Sequence, residues 1–131
     1  MKFAQLAQAK QQYLEQQVNS ASPEQLLTML YDRLLLDIER AGAAQDNADW
    51  ATASAQLTHA QQIVGELNSS LSNTWQGAED LRALYVYLNG QLIAANVTRD
   101  RNITTACRDL VAPLRDAWHQ AAATLVTSAI A

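Results

Sequence analysis

The two histidines and the single cysteine are the first candidates for metal ligands or nucleophiles: His59, His119 and Cys107. Asp116 stands three residues before His119, a spacing that di-iron helical bundles use, but such a site also needs a matching motif and further Glu ligands on facing helices. His59 has no carboxylate at that spacing. The single cysteine excludes an intrachain disulfide and every motif that binds metal through several cysteines. Half-buried or solvated histidines and a small buried cysteine are therefore favoured over a metal site.

His59 leaves one chemical alternative open. A histidine on a helical bundle can carry a phosphoryl group, as in the histidine phosphotransfer domains, although those domains normally place a lysine close by and residues 57–62 contain none. The glycines are isolated rather than grouped in a phosphate-binding loop, and no Ser/His/Asp or Cys/His grouping can be assembled. We therefore expect a protein that is not an enzyme and needs no cofactor, with phosphotransfer through His59 as the alternative function.

A strong helix start organises the rest of the chain. Ser22 has the hydroxyl of an N-cap, Pro23 suits the first helical position, and Gln25 can complete a capping box. Apolar residues then recur on one stripe, which predicts a helix that packs against others. The stripe consists of Leu26, Leu30, Leu34 and Ile38.

The same periodicity predicts four amphipathic helices, at residues 23–42, 50–72, 78–98 and 102–127. Short connections between long helices favour antiparallel neighbours, so the expected fold is all-α, an antiparallel up-down-up-down four-helix bundle with helices about 30 Å long. Residues 19–131 would form this single domain, and residues 1–18 a short N-terminal capping helix with few apolar anchors. Pro113 predicts a kink in the fourth helix, because proline removes a hydrogen bond there.

The composition limits the classes of partner that the protein is expected to bind. The chain has 131 residues and a formal net charge of −4, which argues against nucleic acid because such proteins normally present a clustered basic face. The N-terminus lacks the apolar core of a signal peptide, and no stretch approaches the ~20 apolar residues of a membrane span. We expect a cytoplasmic protein without membrane insertion.

Apolar surface exceeds what one bundle core needs. The third helix carries a second apolar row, formed by Tyr85, Val86, Ile93 and Val97, outside its core row. The second helix adds small residues that allow another backbone to approach: Ala53, Ser54, Ala60 and Gly65. Together these features predict grooves that accept an amphipathic partner helix.

The sequence also resembles a known family. Tyr13, Val18 and residues 21–32 are similar to the N-terminal signature of the FliS family, the flagellar secretion chaperones that bind flagellin before export. Further similar blocks follow in order at residues 60–71, 77–88, 91–97 and 114–118. Two positions depart from the family pattern, Arg33, where the family often has glycine, and Pro113.

The resemblance implies a partner and a set of contact residues. The partner would be the disordered C-terminal segment of flagellin, with the flagellar export gate as a further partner. Tyr13, Leu14 and Val18 would belong to a displaceable cap. Leu27, Leu30 and Tyr31 would lie near the pocket that the cap covers. The groove residues implied are Ile63, Leu67, Leu71, Tyr85, Leu88, Leu92 and Asn96.

Overall fold

The computed structural model describes residues 22–130, with side chains up to residue 124, together with Ala9. The predicted cap, including Tyr13, Leu14 and Val18, lies outside the described residues. Four helices account for nearly all of residues 22–130, which contain no strand, so the predicted all-α fold is confirmed. They are α1 (Pro23–Asp46), α2 (Trp50–Ser70), α3 (Ala78–Val97) and α4 (Arg101–Ile130).

The start of α1 has the capping box that the sequence predicts. The Ser22 hydroxyl accepts from the Gln25 backbone N–H at 3.2 Å, and the Gln25 side-chain oxygen accepts from the Ser22 N–H at 2.9 Å. The predicted end at residue 42 is wrong, because α1 continues to Asp46. Gly42 is instead buried beneath the guanidinium of Arg101, which occupies the space that a Cβ atom would need.

Side-chain bonds between α2 and α3 show that these helices are antiparallel. The Asn96 amide donates to the Ser54 hydroxyl at 3.2 Å near one end, and the Arg82 guanidinium donates to Asn68 Oδ1 at 3.0 Å near the other. The helices α1 and α4 are paired in the same way. Each helix packs against its two neighbours in chain order, with α4 closing the ring against α1, so α1 and α3 stand across the bundle from each other.

The interior is mostly apolar along all four helices. Among the described side chains of α4, Thr104, Cys107 and Val111 are buried, and Ile103, Leu110 and Leu114 are partly buried against the core. Thr104 turns inward because its hydroxyl donates to Gln45 Oε1 at 2.6 Å. The buried position predicted for Cys107 is confirmed. The fully buried apolar residues are Tyr31, Leu34, Ile38, Ala41, Leu57, Ala60, Leu92, Ala95 and Val111.

The helix α4 runs through Pro113 without interruption. Since proline has no N–H, the carbonyl of Asp109 still lacks its usual partner one turn later. The predicted kink at this point stays a prediction.

Two tyrosines join α1 to α3 across the bundle. The Tyr31 and Tyr85 hydroxyls lie 2.6 Å apart in the core, and the Tyr31 ring lies 6.3 Å from the ring of Trp118 on α4. Burial raises the pKa of Tyr31 and of Tyr85, so both hydroxyls stay protonated. The pair therefore satisfies two polar groups that have no access to water.

This pair predicts a non-additive effect on stability. Tyr31→Phe or Tyr85→Phe alone leaves one buried hydroxyl without its partner and should lower the free energy of unfolding by about 1–3 kcal/mol. The double variant removes both groups and should be more stable than the sum of the two losses implies. Urea unfolding of the wild type, the two single variants and the double variant measures the free energies of unfolding. Strictly additive losses would contradict the coupling.

Candidate partner-binding surface

The outward face of α3 exposes a row of apolar side chains. Val86, Ile93 and Val97 are 64%, 43% and 77% exposed, and Gly90 stands between them on the same side of the helix. Steps of three or four residues place all four positions in one row. Residues 83–98 contain no charged side chain; the nearest charge before the row on α3 is Arg82, four residues before Val86, and its guanidinium is bonded to Asn68 and Asn73. We call Val86, Gly90, Ile93 and Val97 the α3 row.

The side of the α3 row that faces α2 is open. The pairing of Ser54 with Asn96 and of Asn68 with Arg82 brings Gly65 level with residues 85–86. A Cβ atom added at Gly65 or at Gly90 would meet no other atom within 4 Å. A partner helix can therefore approach the backbone closely beside the exposed apolar side chains.

On the other side of α3, a small cleft separates this helix from α4. It has a volume of about 150 Å³ and is lined by Tyr87, Gln91, Ala106, Cys107 and Leu110. Burial raises the pKa of the Cys107 thiol to about 11, so the thiol is protonated at neutral pH. The cysteine therefore has the packing role that the sequence indicates and not that of a nucleophile.

A larger apolar cleft of about 390 Å³ lies where the described chain begins. We call it the α1 cleft; its lining residues are Pro23, Glu24, Leu26, Leu27, Leu30, Ser70 and Trp118. Leu27 and Leu30 thus lie at a pocket, while Tyr31 is buried below them. Leu26 was predicted to face the core, but it is 40% exposed because it stands at the mouth of this cleft.

A third cleft lies at the opposite end of α1. We call it the end cleft; it has a volume of about 220 Å³ and is lined by Gln45, Trp50, Ala53, Ser54, Asn96, Val97 and Arg99. Asn96, one of the groove residues that the resemblance implies, lies here with its amide bonded to Ser54. Val97 belongs both to this cleft and to the α3 row.

Comparison with known proteins identifies the family. A family model described as the flagellar protein FliS matches residues 6–125 of the chain. The chain belongs to the FliS family. It is 34% identical over 109 residues to the flagellar secretion chaperone FliS of Bacillus subtilis. The aligned region covers 83% of this chain and 82% of that protein. The chaperone of the same name from Escherichia coli is 30% identical over 110 residues, with coverage of 82% and 81%.

A solved structure shows the same fold. The crystal structure of a flagellar chaperone from bacteria matches with a TM-score of 0.72 and 19% identity, over 90% of this chain and 98% of that one. The helical bundle described above is therefore the fold found in a flagellar chaperone. The family membership that the sequence motifs indicate is confirmed.

Most groove residues implied by the resemblance lie inside this FliS-family bundle. Ile63, Leu67, Tyr85, Leu88 and Leu92 are at most 5% exposed and belong to the core cluster, and Leu71 is partly buried against it. Their contact with a partner stays a prediction. The open apolar surface is the α3 row, which the sequence signalled only as a second apolar row and which was not among the implied contacts.

His59 connects two helices. Its Nδ1 is hydrogen-bonded to the carboxylate of Asp37 on α1, and this carboxylate is completely buried. The carboxylate also accepts from Arg33 Nε at 2.9 Å. Arg33 thus pairs with a buried aspartate.

Metal binding has no support in the part of the chain that the structure describes. Within it, no group of three or more His, Cys, Asp or Glu side chains is placed to hold a metal ion. His119 instead bonds through Nε2 to Asp32 Oδ1 at 2.6 Å, and Arg115 donates to the same oxygen at 2.8 Å.

None of the helices among the described residues combines the length and the apolar character needed to span a membrane.

The Asp32 cluster predicts how stability depends on pH. Burial raises the pKa of the Asp32 carboxyl, but hydrogen bonds from Arg115 and His119 outweigh it, so the pKa falls below its ordinary value of 3.8. Since the folded pKa is the lower one, the stabilisation is complete above the unfolded value and is lost as the pH falls through the folded value.

Asp32→Asn should therefore flatten the loss of stability on acidification below about pH 4. Denaturant titrations from pH 7 downwards measure this effect. Glu66→Gln is the control, because Glu66 is exposed on α2 and its side chain has no hydrogen bond to residues 22–130. Equal acid sensitivity of the wild type and Asp32→Asn would refute the role of this cluster.

Proposed function

We propose that this FliS-family protein is a cytoplasmic flagellar secretion chaperone whose client is the disordered C-terminal segment of flagellin. The segment would fold into a helix on the α3 row, and the loaded chaperone would deliver it to the flagellar export gate. The observation that carries the proposal is the exposed, uncharged α3 row, because large apolar side chains in a row on a bundle surface favour a helical partner.

The physics of coupled folding suits an export chaperone. A disordered segment that folds on binding hides its own apolar face, so it cannot pair with other copies before export. Ordering the segment costs about 2–5 kcal/mol, which keeps the affinity moderate for the area buried. Release at the export gate benefits from that moderate affinity.

Such a chaperone acts by binding alone. The FliS family membership favours this function over phosphotransfer through His59. His59 also has a structural contact already, because its Nδ1 is bonded to the buried carboxylate of Asp37.

The α3 row is tested by removing its apolar side chains. The double variant Val86→Ser, Ile93→Ser should bind a peptide of the flagellin C-terminal segment at least about ten-fold more weakly, since each substitution removes apolar area from the interface. Isothermal titration calorimetry measures the dissociation constant. Full-length flagellin and flagellin shortened at its C-terminus are compared in parallel, and only the former should bind.

A matched control is available on the opposite side of the bundle. Met29 and Leu36 on α1 are 38% and 36% exposed, so Met29→Ser, Leu36→Ser removes similar apolar side chains from another face. This variant should bind within about two-fold of the wild type. Equal losses in both double variants, or none in either, would argue against the α3 row as the client site.

We further propose that residues 1–18 act as a displaceable cap, with Tyr13, Leu14 and Val18 covering the α1 cleft until another part of the client segment takes their place. The position of this cleft at residue 22, where α1 is about to begin, supports the assignment, as does its apolar lining of Leu26, Leu27 and Trp118. A cap that competes with the client lowers the client's apparent affinity.

Tyr13→Ala should loosen the cap and tighten binding of the flagellin peptide several-fold, because less of the binding energy is used to displace it. Gln16→Ala, in the same segment, is the control and should leave affinity unchanged. Weaker or unchanged affinity of Tyr13→Ala in calorimetry would remove the competing role of the cap.

A further inference from the structure

The end cleft contains an arginine that pairs with no carboxylate of the described residues. The Arg99 guanidinium lies 5.0 Å from the centre of the Trp50 ring, and it makes no hydrogen bond or ion pair with residues 22–130. Stacking on an indole holds a guanidinium in place while leaving its N–H groups available. The Arg99 guanidinium is therefore held in place, and its N–H groups remain available as hydrogen-bond donors.

The acidic side chains at this end of the bundle have other partners. Asp46 pairs with Arg101 at 3.0 Å, Asp49 accepts from the Thr52 N–H at 3.2 Å as the cap of α2, and Asp100 accepts from the N–H of Asn102 at 2.9 Å. Each carboxylate is thus engaged in holding a helix end. The charge of Arg99 is left for a group from outside the described chain.

Polar groups beside Arg99 add further donors. The Ser54 hydroxyl oxygen accepts from the Asn96 amide at 3.2 Å, but its own proton has no acceptor among residues 22–130. The indole N–H of Trp50 likewise makes no hydrogen bond within that range. A cleft that offers a guanidinium, a hydroxyl and an indole N–H is suited to an anionic oxygen ligand.

The floor of the end cleft is fixed and neutral. Gln45 is buried, its amide donates to the Ala95 carbonyl at 3.2 Å, and its oxygen accepts from the Thr104 hydroxyl at 2.6 Å. Because these groups are satisfied, they bring no competing charge to the ligand. One unpaired cation over a neutral floor fits a singly charged carboxylate better than a phosphate.

We infer that the end cleft binds the C-terminal carboxylate of the client, so that the client helix ends at Arg99 and runs parallel to α3. This inference rests on the proposed function. The α3 row ends at Val97, which also lines the cleft, so a helix lying on the row reaches Arg99 with its last residues. The negative end of the helix dipole and the terminal carboxylate then both face a cation.

The C-terminal carboxylate of the client fits this site better than an acidic side chain of the client does. Residues 83–98 are uncharged, so the helix that packs on them needs an apolar seam with no carboxylate on the packed side. At the end of such a client helix, the available anion is the client's own C-terminal carboxylate. Arg99 thereby determines the direction in which the client lies.

The test combines a protein variant with a peptide modification. Full-length wild-type protein and Arg99→Gln are titrated by calorimetry with a peptide of the last ~40 residues of the organism's flagellin, made with a free C-terminal carboxylate or with a C-terminal amide. Amidation should weaken binding to the wild type by about three- to five-fold, as for a partly exposed ion pair. Arg99→Gln should weaken the free-acid peptide by a similar factor and should no longer distinguish the two peptides.

Arg40→Gln is the matched control. Arg40 is exposed on α1, across the bundle from α3, and has no ion pair with the described residues, so its replacement makes the same change in net charge. It should leave the effect of amidation intact. An effect of amidation that shrinks at higher salt would further support the inference.

Two results would overturn the inference while leaving the proposed function in place. In the first, the wild type binds the free-acid and amidated peptides equally well. In the second, Arg99→Gln weakens both peptides by the same factor, which indicates a purely structural role for Arg99. A wild-type protein that binds neither peptide would overturn the proposed function, and the inference with it.

Discussion

A helix in a four-helix bundle buries one stripe, and α3 has apolar side chains on two sides. Its inward side is occupied by Tyr85, Leu88 and Leu92, which pack in the core. Val86 and Ile93 therefore stay outside, however well the interior is packed. This geometric limit is the constraint from which the candidate function follows, because an apolar row that cannot reach the core of its own molecule is available to a helix from another one.

Polar groups determine how the four helices fit together. At one end Gln45 connects α1 to the α3 backbone and to Thr104 on α4, and near the middle Asp37 connects α1 to His59 on α2. Because buried polar groups need their partners, these contacts restrict rotation of each helix about its axis. The rotation of α3 thus follows from its neighbours, and with it the direction that the α3 row faces.

Much of the fold was predictable from local sequence. The capping box at Ser22, the number of helices and their starts depend on residues a few positions apart, and the sequence therefore determined them. The end of α1 was not predictable in the same way. Glycine often follows a helix, but Gly42 lies within α1 and is covered by the guanidinium of Arg101, a residue far away in the chain.

The candidate site was only partly predictable. The sequence by itself determined that apolar residues exceed one core and that the chain resembles the FliS family, because both are properties of residue order. Only the tertiary structure decided that Tyr85, which the sequence places in the second apolar row, is buried against Tyr31, and that Arg99 lies over Trp50 without an ion pair among the described residues. The physical reason is that burial and pairing depend on which side chains of other helices lie opposite, and periodicity along one helix does not contain that information.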